Sequence, residues 1–271
     1  MPDLKHDDIT LHYEVDGNGP PLLLLAGMLS DSASWAALAP LLTDRYTVIR
    51  PDNRTTGRTT PWDAEVTVQH MAADAQALMR ELGHDRYHLA GHSMGGLMAM
   101  ELAGLEGEAI ASLSILASGP VRIPRTTHVF DTMLAVRRTS DDDGTWLRTL
   151  YPWIFRPAFF ADPGAVDTAL QAALAYPYGQ NMDAMAHQIE ALRSFRPRTR
   201  PADLTCPVQV IYAAEDLLIP ERRVRAVFAA IPGVEQHTIP DAGHSIHWDA
   251  PGAVAERLTA FMTKHPTQEA S

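Results

Sequence analysis

Three residues stand in an order and setting that suit acyl transfer: Ser93, Asp216 and His244. Ser93 lies in Gly91-His92-Ser93-Met94-Gly95, a match to G-x-S-x-G. A serine hydroxyl is a weak nucleophile at neutral pH. It needs a base to take its proton, and the base needs a carboxylate to orient it. His244, in Asp241-Ala242-Gly243-His244-Ser245, is the candidate base. Asp216, in Ala213-Ala214-Glu215-Asp216-Leu217-Leu218-Ile219-Pro220, is the candidate acid. Glu215 is adjacent and spacing alone leaves it open. Asp216 is preferred, because three residues and a proline then lead into the next helix. His247 is a weaker alternative base, and the His92 side chain should point away from the serine. His12, His70 and His84 read as surface positions.

The elements around these residues must bring them to one edge of a sheet. Residues 87–90 form an apolar strand, and residues 93–105 a helix rich in Met, Leu and Ala. Ser93 therefore sits on a tight strand-to-helix turn, with small residues on both sides so that strand and helix approach closely. The helix N-terminus adds positive potential there. Residues 208–213 form a strand that ends just before Asp216, and 234–239 one that ends just before His244. All three candidates thus follow strands at the same edge.

The remaining pattern is consistent with this. Residues 9–15 alternate as a half-buried strand, with Ile9, Leu11, Tyr13 and Val15 on one face. Residues 22–25 are continuously apolar, as in a strand covered on both faces. Helices are expected at 32–42, 66–82, 221–231 and 251–264, and strands at 46–49 and 110–116. Gly83 closes the 66–82 helix. Strands alternating with helices give an α/β fold with a mostly parallel central sheet flanked by helices. The rhythm breaks at 121–201, which is helical in period, rich in aromatics and interrupted by Pro152, Pro157, Pro163 and Pro177. This segment reads as an inserted helical cap on a core of 1–120 and 202–271. Most of its aromatics should pack into the cap's own core, with a few facing a ligand cavity.

Composition narrows the classes. The 271 residues are 46% hydrophobic and carry a net charge of −11. That balance disfavours nucleic acid and anionic membranes, and suits a neutral or cationic small ligand. No stretch is long and apolar enough to span a bilayer, and the polar start lacks a secretory pattern, so a cytoplasmic setting is expected. Cys206 is the one cysteine. It excludes an internal disulfide and reads as a small buried residue. Asp141-Asp142-Asp143 reads as a solvated loop. H-E-x-x-H, dinucleotide and P-loop fingerprints are missing, and the chemistry needs neither metal nor organic cofactor.

The order Ser93, Asp216, His244 is that of α/β-hydrolases, and the chain resembles that superfamily over nearly its whole length. Asp52-Asn53-Arg54-Thr55-Thr56-Gly57-Arg58-Thr59 is similar to the family's D-x-R-G-x-G-x-S turn. The branch it looks like holds capped esterases, enol-lactonases, methylesterases and cofactor-free haloperoxidases. Two positions depart from the pattern: Thr55 stands where Gly is frequent, and Ala26 where a His precedes Gly27. The resemblance implies the α/β-hydrolase fold and an oxyanion hole made by the backbone N–H groups of Met28 and Met94. It implies an esterase acting on a small ester or lactone; the sequence leaves the oligomeric state, monomer or dimer, open. Lactonase, perhydrolase, thioesterase and peptidase chemistry share the machinery. Haloalkane dehalogenase chemistry does not, since it requires Asp at position 93. Some proteins of the fold keep the triad and serve as small-molecule receptors.

Overall fold

The computed structural model describes residues 3–267. Of the polar tail 265–271, expected from sequence to be frayed, residues 268–271 lie outside them. In chain order the elements are β1 (Asp3–His6), β2 (Ile9–Asp16), β3 (Pro21–Leu25), β4 (Thr47–Pro51), α1 (Val68–Glu81), β5 (Tyr87–His92), α2 (Met94–Leu105) and β6 (Ile110–Leu116). Then come α3 (Pro124–Thr139), α4 (Thr145–Ile154), α5 (Pro163–Ala175) and α6 (Met182–Ser194). The chain ends with β7 (Val208–Ala213), α7 (Glu221–Phe228), β8 (Glu235–Ile239), α8 (Ile246–Asp249) and α9 (Pro251–Lys264). The strands form one sheet in the order β1-β2-β4-β3-β5-β6-β7-β8, antiparallel at β1–β2 and β2–β4 and parallel from β4 onward.

The run Leu22–Leu25 is apolar throughout because both sheet faces are covered. Alternate side chains divide between two layers. Leu23 and Leu25 join Met71 and Leu78 of α1 and Met98 and Leu102 of α2. Leu22 and Leu24 join Trp35, Leu38 and, from α9, Leu258 and Met262. Burying each leucine contributes about 2 kcal/mol. α1 places Val68, Met71, Ala72, Ala75 and Leu78 on one stripe, and the Thr67 hydroxyl accepts from the His70 amide at 3.0 Å to cap it. Gly83 follows the helix with φ +72°.

Several expectations change. The predicted 32–42 helix is two 3₁₀ turns, Ser32–Trp35 and Ala39–Leu41. Pro40 lacks the amide that a continuous helix would donate to the Ala36 carbonyl. The largely polar segment Asp3–His6 forms the edge strand β1, whose Asp3 lies opposite His12 in the register. That pairing buries His12, read from sequence as exposed, with Nδ1 2.8 Å from Asp3 Oδ1. His70 and His84 are partly exposed. Val15, predicted on the buried face, is exposed near the strand end. α7 stops at Phe228, and a one-turn helix, α8, follows the His244 loop. Cys206 is buried, and burial pushes its thiol up to about 11. Asp141–Asp143 is an exposed loop in which Asp142 Oδ1 accepts from the Gly144 amide at 2.9 Å. No helix of the described residues is long and apolar enough to cross a membrane.

Helices α3 to α6 all lie between β6 and β7. Tyr151, Leu147 and Leu170 form a cluster of their own with Trp146, Phe155 and Phe159 packed on it. Trp153 and Phe195 instead pack against the large central cluster, together with Trp146. α4 continues through Pro152, which was expected to interrupt it.

Candidate active site

Ser93 bridges β5 and α2 with φ 53° and ψ −119°, a backbone region that side chains rarely adopt. Close packing holds it there. A Cβ on Gly91 would lie 2.2 Å from the Gly95 carbonyl oxygen, and one on Gly95 2.0 Å from that of Leu25. The Ser93 amide donates to the Leu116 carbonyl at 3.0 Å, and the Ser118 hydroxyl donates to the Ser93 carbonyl at 2.5 Å. The result is a hydroxyl raised above the end of β5 at the start of a helix.

His244 Nε2 lies 2.9 Å from Ser93 Oγ. Its Nδ1 lies 2.8 Å from Asp216 Oδ2. The carboxylate fixes the tautomer: Nδ1–H donates to Asp216, which leaves Nε2 to accept from the serine. Asp216 Oδ1 accepts from the amides of Leu218 and Ile219, both at 2.8 Å. Asp216 and His244 are both buried. The structure thus brings Ser93, Asp216 and His244 together. Glu215 lies outside this chain of contacts; its amide donates to the Ala242 carbonyl at 3.0 Å.

His92 points away from Ser93 and lies behind the base. Its Nε2–H donates to the His244 carbonyl at 2.8 Å, and its ring centroid is 4.9 Å from that of His244. His247 packs behind it with the rings tilted and centroids 4.4 Å apart, and Trp35 lies 4.8 Å from His247. Burial, then the charge of His244, lowers His92 to about 3. Burial likewise drives His247 well below its ordinary value. Burial thus favours the neutral form of both rings, and it is His244, not His92, that reaches Ser93 Oγ, since the Nε2 of His92 is engaged by the His244 carbonyl.

Buried histidines impose an acid limit on stability. His88, buried with Nδ1 2.8 Å from Ser112 Oγ, is lowered to about 4 by desolvation. Unfolded histidine takes a proton near pH 6.5. The stabilisation is complete above that value and is lost as pH falls toward about 4, where folded His88 also protonates. Each such histidine steepens acid unfolding by up to about tenfold in the unfolding constant per pH unit. The variant His88→Gln should show a correspondingly shallower dependence in urea titrations between about pH 7 and about pH 4.5. An unchanged slope would contradict this assignment.

The loops flanking the serine depart from expectation in instructive ways. Ala26 presents its carbonyl to Asn53 Nδ2 at 2.9 Å. Gly27 lets this loop approach the nucleophile turn, since a Cβ there would lie 3.1 Å from Ser93 Cβ. Met28 and Met94, the expected oxyanion donors, are both buried beside this turn. Met94 opens α2, so its N–H has no acceptor within the helix. Thr55, at the position where glycine is frequent, adopts φ +67°, and Gln180 Nε2 donates to its carbonyl at 2.8 Å.

One contact was not anticipated from sequence. Gln188 of α6 is fully buried, accepting from the Leu29 amide at 3.0 Å and donating to the Arg54 carbonyl at 3.1 Å. A signal for it exists. Met185, Gln188, Ile189 and Leu192 share one helical stripe, where an amide among apolar residues must find buried partners. The helices between β6 and β7 also touch the other two loops. Thr126 Oγ1 donates to the Leu218 carbonyl at 2.5 Å, and the Ile154 carbonyl accepts from the Ser245 amide at 2.7 Å.

The sequence pattern of the Alpha/beta hydrolase family matches residues 22–257. A protein of Azorhizobium caulinodans named "Putative carbamate hydrolase RutD" is 27% identical over 263 residues, 96% of this chain and 98% of its own. A protein of the same name from Variovorax paradoxus is 30% identical over 262 residues, covering 94% and 96%. A thermophilic esterase from Thermogutta terrifontis superposes with a TM-score of 0.81 at 26% identity, covering 95% of each chain. An enol-lactonase from Burkholderia xenovorans superposes with a TM-score of 0.83 at 22% identity over 97% of this chain and 100% of that one, a likeness of fold. With its mostly parallel sheet, the chain belongs to the Alpha/beta hydrolase family.

Proposed function

We propose that this protein hydrolyses a carboxylic ester of a small, partly apolar substrate through an acyl-enzyme intermediate. The observation that carries the reading is the pair of contacts at 2.9 and 2.8 Å linking Ser93, His244 and Asp216. Ser93 Oγ attacks the carbonyl carbon while His244 Nε2 takes its proton. The oxyanion is held by the N–H groups of Met28 and Met94, each donor contributing about 3 kcal/mol to the transition state. His244 then protonates the leaving alkoxide. A water deprotonated by His244 attacks the acyl carbon and frees the acid and Ser93. Asp216 orients the imidazole and stabilises its charged form.

In this reading residues 121–201 form a cap over a hydrolase core of 1–120 and 202–271. Apolar substrate preference is supported by the company the site keeps. Met28 and Met94 share one apolar cluster with Phe130, Met133, Met185 and Ile189. A lactone would use the same steps with an alcohol that stays tethered. The names of the relatives point to carbamates, whose nitrogen lone pair makes the carbonyl a poorer electrophile.

Kinetic profiling against p-nitrophenyl esters, lactones and carbamate esters of graded chain length tests the proposal. The expected result is highest kcat/KM for short to medium acyl esters. A preference for lactones or carbamates would overturn the ester assignment. Turnover too slow to follow, with a ligand-dependent rise in Tm, would favour a receptor.

A further inference from the structure

The peptide group between Gly27 and Met28 carries one of the two proposed oxyanion donors. Its orientation is set by its neighbours on each side. On one side, the Ala26 carbonyl is held by Asn53 Nδ2 at 2.9 Å. On the other, Leu29 adopts φ +65°, a conformation that a leucine takes only under constraint. The Leu29 amide reaches Gln188 Oε1 at 3.0 Å. Gln188 is fully buried, and its Nε2 is in turn fixed on the Arg54 carbonyl at 3.1 Å. Both functions of this amide are therefore spent on two loops of the sheet edge, although Gln188 itself comes from α6.

We infer that Gln188 is a positioning residue for the oxyanion peptide, so that the oxyanion hole is complete only when α6 is seated on the core. The inference rests on the hydrolase reading above. Leu29 N–H would otherwise lose this acceptor, and the 27–29 turn would relax toward negative φ. Relaxation rotates the adjoining peptide and carries Met28 N–H away from the developing negative charge. Gln188 touches no reacting atom. Its influence passes through Leu29 to Met28.

A role of this kind predicts a loss confined to the transition state. Gln188→Met keeps the length of the side chain and removes both hydrogen bonds. Its kcat on p-nitrophenyl butyrate should fall roughly 10- to 100-fold with KM nearly unchanged. Affinity for a trifluoromethyl ketone, which forms a tetrahedral oxyanion on the serine, should fall by the same factor. Gln188→Glu supplies a second variant. Ionised, its carboxylate accepts from Leu29 but repels the Arg54 carbonyl; protonated, it can serve both. The ratio of its kcat to that of the wild type should therefore rise as pH is lowered. Wild-type kcat and ketone affinity in the folded Gln188→Met protein, or a flat pH ratio for Gln188→Glu, would overturn the inference. Parallel assays of Ser93→Ala separate the two levels. Loss of turnover there with unaffected Gln188 variants overturns only the positioning role, whereas retained turnover there removes the hydrolase reading and this inference with it.

Discussion

Ser93→Ala is expected to lower kcat/KM for a short-chain p-nitrophenyl ester by about 10⁶-fold, the scale seen when a serine nucleophile is removed. The fold should survive. The Ser93 side chain contributes one contact, to His244 at 2.9 Å, and that contact serves the chemistry. The bonds that hold the turn are backbone bonds: amide to Leu116 carbonyl, and carbonyl to Ser118. Alanine keeps both and meets the same backbone strain as serine at φ 53°. Initial rates and a thermal melt on the same sample decide the matter. A large fall in rate with little change in Tm is the expected result. Undiminished turnover would sink the assignment of Ser93 as nucleophile.

Asp216→Asn should be nearly as damaging, and for a reason visible in the local hydrogen bonds. Asp216 Oδ1 accepts from two amides, those of Leu218 and Ile219. Only the carbonyl oxygen of an asparagine can fill that place. Its NH₂ group must then face His244 Nδ1, where Oδ2 now lies at 2.8 Å. A donor there forces Nδ1 to accept and moves the proton to Nε2. The ring would then point an N–H at the serine and could not take its proton. In serine proteases the comparable change costs about 10⁴-fold in kcat. Glu215→Gln, one residue away, should leave the rate within about twofold, since substitutions outside such networks have small effects. Equal losses in the two variants would mean that the acid has been wrongly chosen.

The alternation of apolar runs with helical stretches was readable because a parallel sheet covered on both faces demands it. Leu22–Leu25 could be read this way since all four side chains are buried. The nucleophile turn was readable because its glycines are required by contact: no Cβ fits at Gly91 or Gly95. Features governed by tertiary partners were not. Asp3–His6 has no apolar pattern, and it becomes a strand because β2 offers it an edge. His12 looked like the polar side of an alternating strand until that edge buried it. Thr55 and Leu29 carry positive φ with no glycine to announce it; the Gln180 and Gln188 amides that meet them come from more than a hundred residues later in the chain. Asp216 and Glu215 could not be separated by spacing because they are neighbours. What distinguishes them is the pair of amides that only Asp216 meets.

The helices between β6 and β7 are fastened to all three loops that frame the serine, through Gln188 at Leu29, Thr126 at Leu218 and Ile154 at Ser245. If these helices are the cap proposed above, they could not lift away as one body without breaking these bonds and others, such as that from Gln180 to the Thr55 carbonyl. On that reading, rotations of individual side chains, which take picoseconds to nanoseconds, would admit substrate without breaking these bonds, whereas domain opening, which takes microseconds or longer, would break them. An enzyme built that way would work as a sieve. Molecules narrow enough to pass between side chains would reach the serine quickly, and bulky ones would be turned away before their chemistry is ever tried.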